Sequence, residues 1–268
     1  MRYWNIAHSL VSADRSGKHL SIALRLSIKE LLAALRYRDA KLSFAQAGED
    51  LIVDFVVNAL QIKRFTYLDI GAHHPTLFSN TYLFYQRGFR GVLVEPDPEL
   101  CARIKAKRPE DLCIEAGVGL GTSGSASFFM MSTKTLNTFS ESEAKRYESM
   151  GTHRIERVLK IPMIGLGDIL SEHFGDRDPT LISIDIEGLD FEVLSTLDFS
   201  RRRPTVICIE TLSYSETRQE VKDQRIARLM LENGYLAYAD TYINTIFVDA
   251  ERWRKTAAQL PHQRVTTR

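Results

Sequence analysis

Five short apolar runs, FTYLDIGA, GVLVEPDP, DLCIEAGVG, TLISIDIEG and PTVICIET, recur along the chain between helix-forming segments, and acidic residues or glycine stand at their carboxyl ends. Strands that alternate with helices imply a mainly parallel sheet covered on both faces, because each crossover helix must pack back onto the sheet. The helices are legible too. One begins near Gly48, with Glu49 and Asp50 in a first turn where acids suit the helix dipole; SNTYLFYQRG, PELCARIKAKRP and RQEVKDQRIARLMLENG follow. SASFFMMS alternates as an antiparallel strand should, VLKIPMIGLGDILSEHF reads as a strand leading into a helix, and YLAYADTYINTIFVDA closes as a hairpin. The expected class is α/β: a Rossmann-like, mostly parallel sheet with a C-terminal antiparallel hairpin.

A chain of 268 residues suits one such domain with decorations, and with 44% hydrophobic and 26% charged residues its composition is that of a soluble globular protein. A formal net charge of +1 gives no reason to expect nucleic acid as a partner. Cys101, Cys113 and Cys208 have no CxxC spacing, so neither a disulfide framework nor a zinc site is expected, and a reducing, cytoplasmic setting fits. HLSIALRLSIKELLAALRYRDA, residues 19–40, reads as a basic amphipathic helix within an N-terminal extension, 1–42. Such a helix packs on its own domain, pairs with a second subunit in a homo-oligomer, or lies on the inner membrane surface near a lipid-linked substrate. The catalytic domain is expected over 43–250, with a Ser/Thr-rich insertion or lid at 122–160 and a basic tail at 251–268.

Ligands of open parallel sheets bind beyond the carboxyl ends of the strands. Those ends here hold Asp69 and Gly71, Glu95 and Asp97, Glu115 to Gly117, Asp185 and Glu187, and Glu210. Gly71 permits close backbone approach at the first turn, and Glu95 can accept hydrogen bonds from both hydroxyls of a ribose. DIGAHHP lacks GxGxxG, so no pyrophosphate is cradled there; a nucleoside cofactor without phosphates needs no cradle. An NAD-dependent oxidoreductase shares the ribose contact, but the missing glycines and the closing hairpin count against it. A catalytically inactive cofactor-binding scaffold is the non-enzymatic alternative.

Five ordered blocks, SFAQAGED, YLDIGAHHPTLFSNTYLFYQRGFRG, VLVEPDP, ISIDIEGLDFEVL and INTIFVD, resemble the FkbM-type methyltransferases over about Ser43 to Asp249. The resemblance implies a seven-stranded methyltransferase sheet and transfer of a methyl group from S-adenosylmethionine to a hydroxyl of a sugar, glycan or glycosylated natural product. It implies that Asp69, Gly71 and Ala72 line the methionine end of the cofactor and Glu95 the ribose. Gln46, Gly48, Glu49 and Asp50 are expected to close the site from the N-terminal side; simple helix capping is the plainer account of Glu49 and Asp50. Asn80 and Asp97 complete the expected cofactor set, and Gly117 permits approach of the adenine edge, although a tight turn explains that glycine nearly as well.

A hydroxyl is a weak nucleophile at neutral pH, so the site must activate it. Three arrangements offer themselves. Asp185, which also belongs to the cofactor-facing set, and Glu187 can supply a carboxylate base. Asp185 with Glu210, at neighbouring strand ends, can hold Mg2+ against the acceptor oxygen. His73 or His74 can act as base, though adjacent residues in an extended turn face differently, so only one would reach the acceptor.

Overall fold

The structure, a computed structural model, describes residues 41–120, 124–212 and 221–259. The chain divides into two units at Leu42/Ser43. Almost all of the first unit, including the amphipathic helix expected at 19–40, lies outside the described residues, as do 213–220 and the end of the expected tail.

The second unit is built on one seven-stranded sheet. Its strands are β1 (Thr66–Ile70), β2 (Arg90–Val94), β3 (Leu112–Ile114), β7 (Leu181–Ile184), β8 (Val206–Glu210), β9 (Tyr235–Asp240) and β10 (Asn244–Asp249). Their order is β3-β2-β1-β7-β8-β10-β9. The first five in that order are parallel, whereas β10 runs antiparallel to both β8 and β9. The expected architecture is therefore present. Reversal of β10 brings its first residue, Asn244, into register with Glu210, the last residue of β8, so hairpin and strand ends meet at one edge.

Alternation along each strand divides the core in two. Leu68, Ile70, Val92, Ile182, Ile184, Ile207 and Phe247 face α5 (Leu166–Phe174), α6 (Asp190–Leu194) and α7 (Gln224–Glu232). Tyr67, Leu93, Leu181, Val206, Cys208 and Val248 face α1 (Glu49–Ala59), α2 (Tyr82–Gln86) and α3 (Pro98–Lys107). The remaining helices are α4 (Glu141–Ser149) and α8 (Ala250–Gln259); the latter occupies the start of the expected tail.

The run DLCIEAGVG reads as one strand but forms two. β3 stops at Ile114, and β4 (Gly117–Gly119) leaves the main sheet to pair with β6 (Ile155–Gly165), which also pairs with β5 (Ser125–Met131). A Cβ on Gly117 would come within 2.4 Å of the Phe139 ring and 2.7 Å of Met163 Sδ, so close packing between these strands fixes that glycine. The described part of the expected insertion is thus a small three-stranded sheet with α4 and a 3-10 turn at Lys134–Leu136, carrying its own core of Met131, Leu136, Ala144 and Tyr147. No helix among the described residues is long and apolar enough to cross a membrane.

Candidate active site

The turn after β1 and the turn after β7 are in backbone contact. Asp185 N–H donates to the Ile70 carbonyl (3.0 Å), and Gly71 N–H donates to the Val94 carbonyl (2.9 Å). Gly71 has φ +78°, and a Cβ on it would lie 1.8 Å from the Asp185 carbonyl oxygen. A close approach at this glycine is thus made to the turn after β7.

Beyond β7 the chain turns at once: Glu187 has φ 52° and Gly188 φ 94°. Asp190, at the start of α6, closes this turn by accepting from Ile186 N–H and Gly188 N–H, both at 3.1 Å. The result joins Asp185 not only to Glu210 but to Glu187: carboxylate oxygens of the three lie within 4.8 Å of one another. Burial, then repulsion by neighbouring acids, pushes the Asp185 carboxyl up to about 7 and those of Glu187 and Glu210 well above the usual range. Burial likewise lifts Asp190 to about 6, against three backbone hydrogen bonds that lower it.

The insertion reaches this cluster. Tyr147 of α4 donates its hydroxyl to Glu187 Oε2 (3.2 Å), and Thr138 Oγ1 donates to the Glu187 carbonyl (3.0 Å). Glu187 and Glu210 open into a cavity of about 280 Å³, also lined by Glu143, Tyr147, Phe191 and Arg225. Nothing in the sequence marks Tyr147 for this contact; the ESEAKRYES helix shows only that one tyrosine sits among polar residues.

These raised carboxyls set the sign of the pH dependence. Carboxyls whose folded values lie above their unfolded ones contribute stability that is complete below about pH 4 and is lost as pH rises through the folded values. Asp185 and Glu95, each near 7, and Asp190, near 6, place that loss between about pH 4 and 7.5. The melting temperature of the ligand-free protein is expected to fall by about 5–10 °C over that interval. A flat or rising melting curve would count against raised carboxyls in the folded protein.

The nucleoside end is organised around Glu95, buried at the end of β2. Its Oε2 accepts from His73 N–H (2.7 Å) and its Oε1 from Asp97 N–H (2.8 Å), leaving one acceptor position on each oxygen. Burial outweighs these two bonds and lifts its carboxyl to about 7. Asp97 caps α3, its Oδ1 accepting from Glu99 N–H (2.9 Å) and Leu100 N–H (3.4 Å), while Oδ2 accepts from Lys134 Nζ (3.2 Å) and Asn137 Nδ2 (3.3 Å). Asp97 therefore anchors the insertion. Asp69, buried on β1, accepts from Thr81 Oγ1 (2.6 Å), and Asn80 Nδ2 donates to Ser183 Oγ (3.1 Å). Ala72 is buried directly after Gly71.

The N-terminal block is engaged internally. Glu49 Oε1 accepts from Thr241 Oγ1 (2.6 Å) and Asn244 Nδ2 (3.1 Å), and its Oε2 from Ala47 N–H (2.8 Å). Asp50 accepts from Ser43 Oγ (2.6 Å), Phe44 N–H (2.7 Å) and its neighbour Leu51 N–H (2.8 Å). Gly48 takes φ +91° at the start of α1, and Gln46 is exposed beside it. Both carboxylates lock the entry loop onto helix and hairpin; Glu49 also adds to the negative field at Asp185.

The two histidines part company. His74 Nδ1 accepts from Thr76 N–H (3.2 Å) and Leu77 N–H (2.9 Å), which makes it a turn-closing group. His73 has φ 49°, and its Nε2 is buried without a partner among the described residues. Burial, then His74, lowers it to about 4, so it is neutral at physiological pH; Asp97, Arg103 and Lys134 are its other influential charges. The structure thus groups His73 with Glu95 and Asp97 and not with Asp185.

No curated protein sequence matches the chain at a significant level. Solved structures similar to it include a TehB-like S-adenosylmethionine-dependent methyltransferase from Corynebacterium glutamicum, at 10% identity and TM-score 0.39, covering 86% of this chain and 98% of that one. An amino pentose methyltransferase from Micromonospora echinaspora, bound to S-adenosylmethionine, has 11% identity and TM-score 0.39 over 82% and 96% of the two chains. An O-methyltransferase from Bacillus cereus, bound to S-adenosylhomocysteine, has 13% identity and TM-score 0.37 over 83% and 89%. The methyltransferase FkbM domain matches residues 69–237, more than half of the chain, and the chain belongs to that family.

Proposed function

We propose that the protein is an S-adenosylmethionine-dependent O-methyltransferase whose acceptor is a hydroxyl of a sugar, a glycan or a glycosylated metabolite, free or lipid-linked. The observation that carries this reading is the cluster of Asp185, Glu187 and Glu210, within 4.8 Å of one another at the ends of two adjacent central strands. S-adenosylmethionine, when bound, supplies a methyl carbon on a positively charged sulfur. Glu95, with an acceptor position left on each oxygen, fits a ribose diol, and the phosphate-free turn at Gly71 and Ala72 fits the methionine end.

Asp185 takes the proton from the acceptor hydroxyl as that oxygen attacks the methyl carbon and the carbon–sulfur bond breaks. A carboxyl held near 7 suits this work, being ionised often enough at neutral pH while remaining a stronger base than an exposed aspartate. Three hard oxygen donors also fit Mg2+, which would lie between Asp185, Glu187 and Glu210 and lower the acceptor's own pKa. Glu143 and Glu187 on the cavity wall favour a neutral polyhydroxylated acceptor over an anionic one.

Calorimetric titration of the purified chain with S-adenosylmethionine tests the cofactor assignment. Glu95→Ala and Asp69→Ala are each expected to weaken binding by about ten- to a hundred-fold, the size of one or two charge-assisted hydrogen bonds. Absence of binding to the unaltered protein, with and without Mg2+, would overturn the assignment.

A further inference from the structure

Behind the candidate cofactor site, and reached by none of the chemistry above, lies a wholly buried arginine. Arg108, which caps the C-terminal end of α3, has none of its surface exposed. Its guanidinium sits over the rings of Tyr67 (5.6 Å), Tyr82 (6.0 Å) and Tyr85 (5.3 Å). Nε donates to Asp111 Oδ2 (2.8 Å), Nη2 to Tyr67 Oη (3.2 Å) and to Thr81 Oγ1 (3.0 Å), and Nη1 to Ser79 Oγ (3.4 Å). Asp111 is itself held by Gly91 N–H (2.8 Å) and by the Tyr67 hydroxyl (2.9 Å).

A buried arginine bound to one carboxylate would be a plain structural ion pair. The contact to Thr81 makes this one more than that. A threonine hydroxyl has one proton and can both donate and accept. The guanidinium has only donors, so its bond to Thr81 Oγ1 takes up an acceptor position and leaves the proton free to point elsewhere. The nearest acceptor is Asp69 Oδ2 at 2.6 Å, a short, charge-assisted bond.

We propose that Arg108 is a positioning residue for Asp69: through Thr81 it directs a hydroxyl proton onto the Asp69 carboxylate and so holds that carboxylate charged and oriented at the methionine end of the site. The inference rests on the cofactor assignment for its purpose, but its geometry stands on the chain alone. Burial raises the Asp69 carboxyl, while the Thr81 bond and the Arg108 charge, acting with Ser183, lower it. The other charged or titratable groups facing Asp69 are Asp111 in the α3–β3 turn, Glu95 just beyond β2, Asp185 just beyond β7 and Cys208 on β8, and Arg108 is the cation among those named. Without it the charged groups named around this buried carboxylate would all be acids.

The decisive measurement needs no cofactor. Carboxyl-carbon NMR of the ligand-free, full-length protein with labelled aspartate, using Asp69→Asn to assign the resonance, reports the Asp69 midpoint directly. Thr81→Val leaves the Arg108–Asp111 pair intact and removes only the relay; it is expected to raise that midpoint by about one pH unit, the scale of one hydrogen bond, and Thr81→Ser to restore it. Arg108→Gln is expected to move it further in the same direction; should that variant not fold, the two threonine variants decide alone. An unmoved Asp69 midpoint in folded Thr81→Val overturns the proposal even if cofactor binding is weakened, because a merely structural role would weaken binding without moving the titration. Calorimetry at two pH values, one below and one above the Asp69 midpoint so measured, provides the second readout: Thr81→Val should lose more S-adenosylmethionine affinity at the lower pH. Failure of the unaltered protein to bind at either pH would overturn the cofactor assignment and leave the NMR result to judge the relay.

Discussion

Asp185→Asn is expected to lower the rate of methyl transfer by about a hundred- to ten-thousand-fold, the range of a lost general base, while changing S-adenosylmethionine affinity by less than about threefold. Asparagine keeps the size of the side chain and its place in the turn but cannot take a proton. The sharper contrast is with Glu210→Gln. Burial and the neighbouring acids raise both carboxyls, and Glu210 stands beside Asp185 within the cluster. Glutamine can still donate from its amide, and a loss of only about tenfold is expected. Incorporation of a labelled methyl group into a glycan and metabolite extract follows both variants whatever the acceptor is. Retention of more than about a tenth of the activity by Asp185→Asn would remove it from the role of base. EDTA separates the two ways the cluster can work: full activity in its presence rejects the cation, whereas loss reversed by Mg2+ establishes one.

Much of this arrangement was legible because it is local. The apolar runs and the helices between them each carry their own pattern, and acids at the strand ends are visible as letters. What escaped depends on contacts between distant residues. Asp185 and Glu187 pair in the sequence, and Gly188 already suggests a turn there, but that Glu187 itself adopts φ 52° and stands with both Asp185 and Glu210 is visible only in the structure. Glu49 is tied to Thr241 and Asn244 from the far end of the chain, so its partners could not be guessed from SFAQAGED. Arg108 follows a run of lysines at a helix end, where solvent is the natural expectation, and only the packing of three tyrosines around it reveals burial. Asp97 is different: Asp-Pro-Glu ahead of a helix is an N-cap pattern, and the structure shows that cap made. DLCIEAGVG misled because strand propensity does not say which sheet a strand will join.

Gly71→Ala is expected to cost more than about 4 kcal/mol, a large part of the stability of an ordinary domain, and to leave little soluble protein. Two separate effects contribute, and a second glycine isolates them. At Gly88 the backbone has φ +89°, close to the +78° of Gly71, but a Cβ there meets nothing within 4 Å. Gly88→Ala therefore registers only the left-handed conformation, about 1–2 kcal/mol. At Gly71 the new methyl group would stand 1.8 Å from the Asp185 carbonyl oxygen and 2.9 Å from its carbon, both backbone atoms. No rotamer change relieves such a contact, so β1 and β7 must part at their carboxyl ends. Asp69 stands on the first and Asp185 just beyond the second, and their separation would draw the two carboxylates apart. Denaturant titration of the two variants, with soluble yield as a second measure, checks the difference. Equal losses would mean that the approach of the two turns is not tight, and that the turns after β1 and β7 do not move as one unit. A much larger loss at Gly71 would establish that the glycine ending DIG is required by the chain's own turn after β7, whatever it also allows a bound ligand to do.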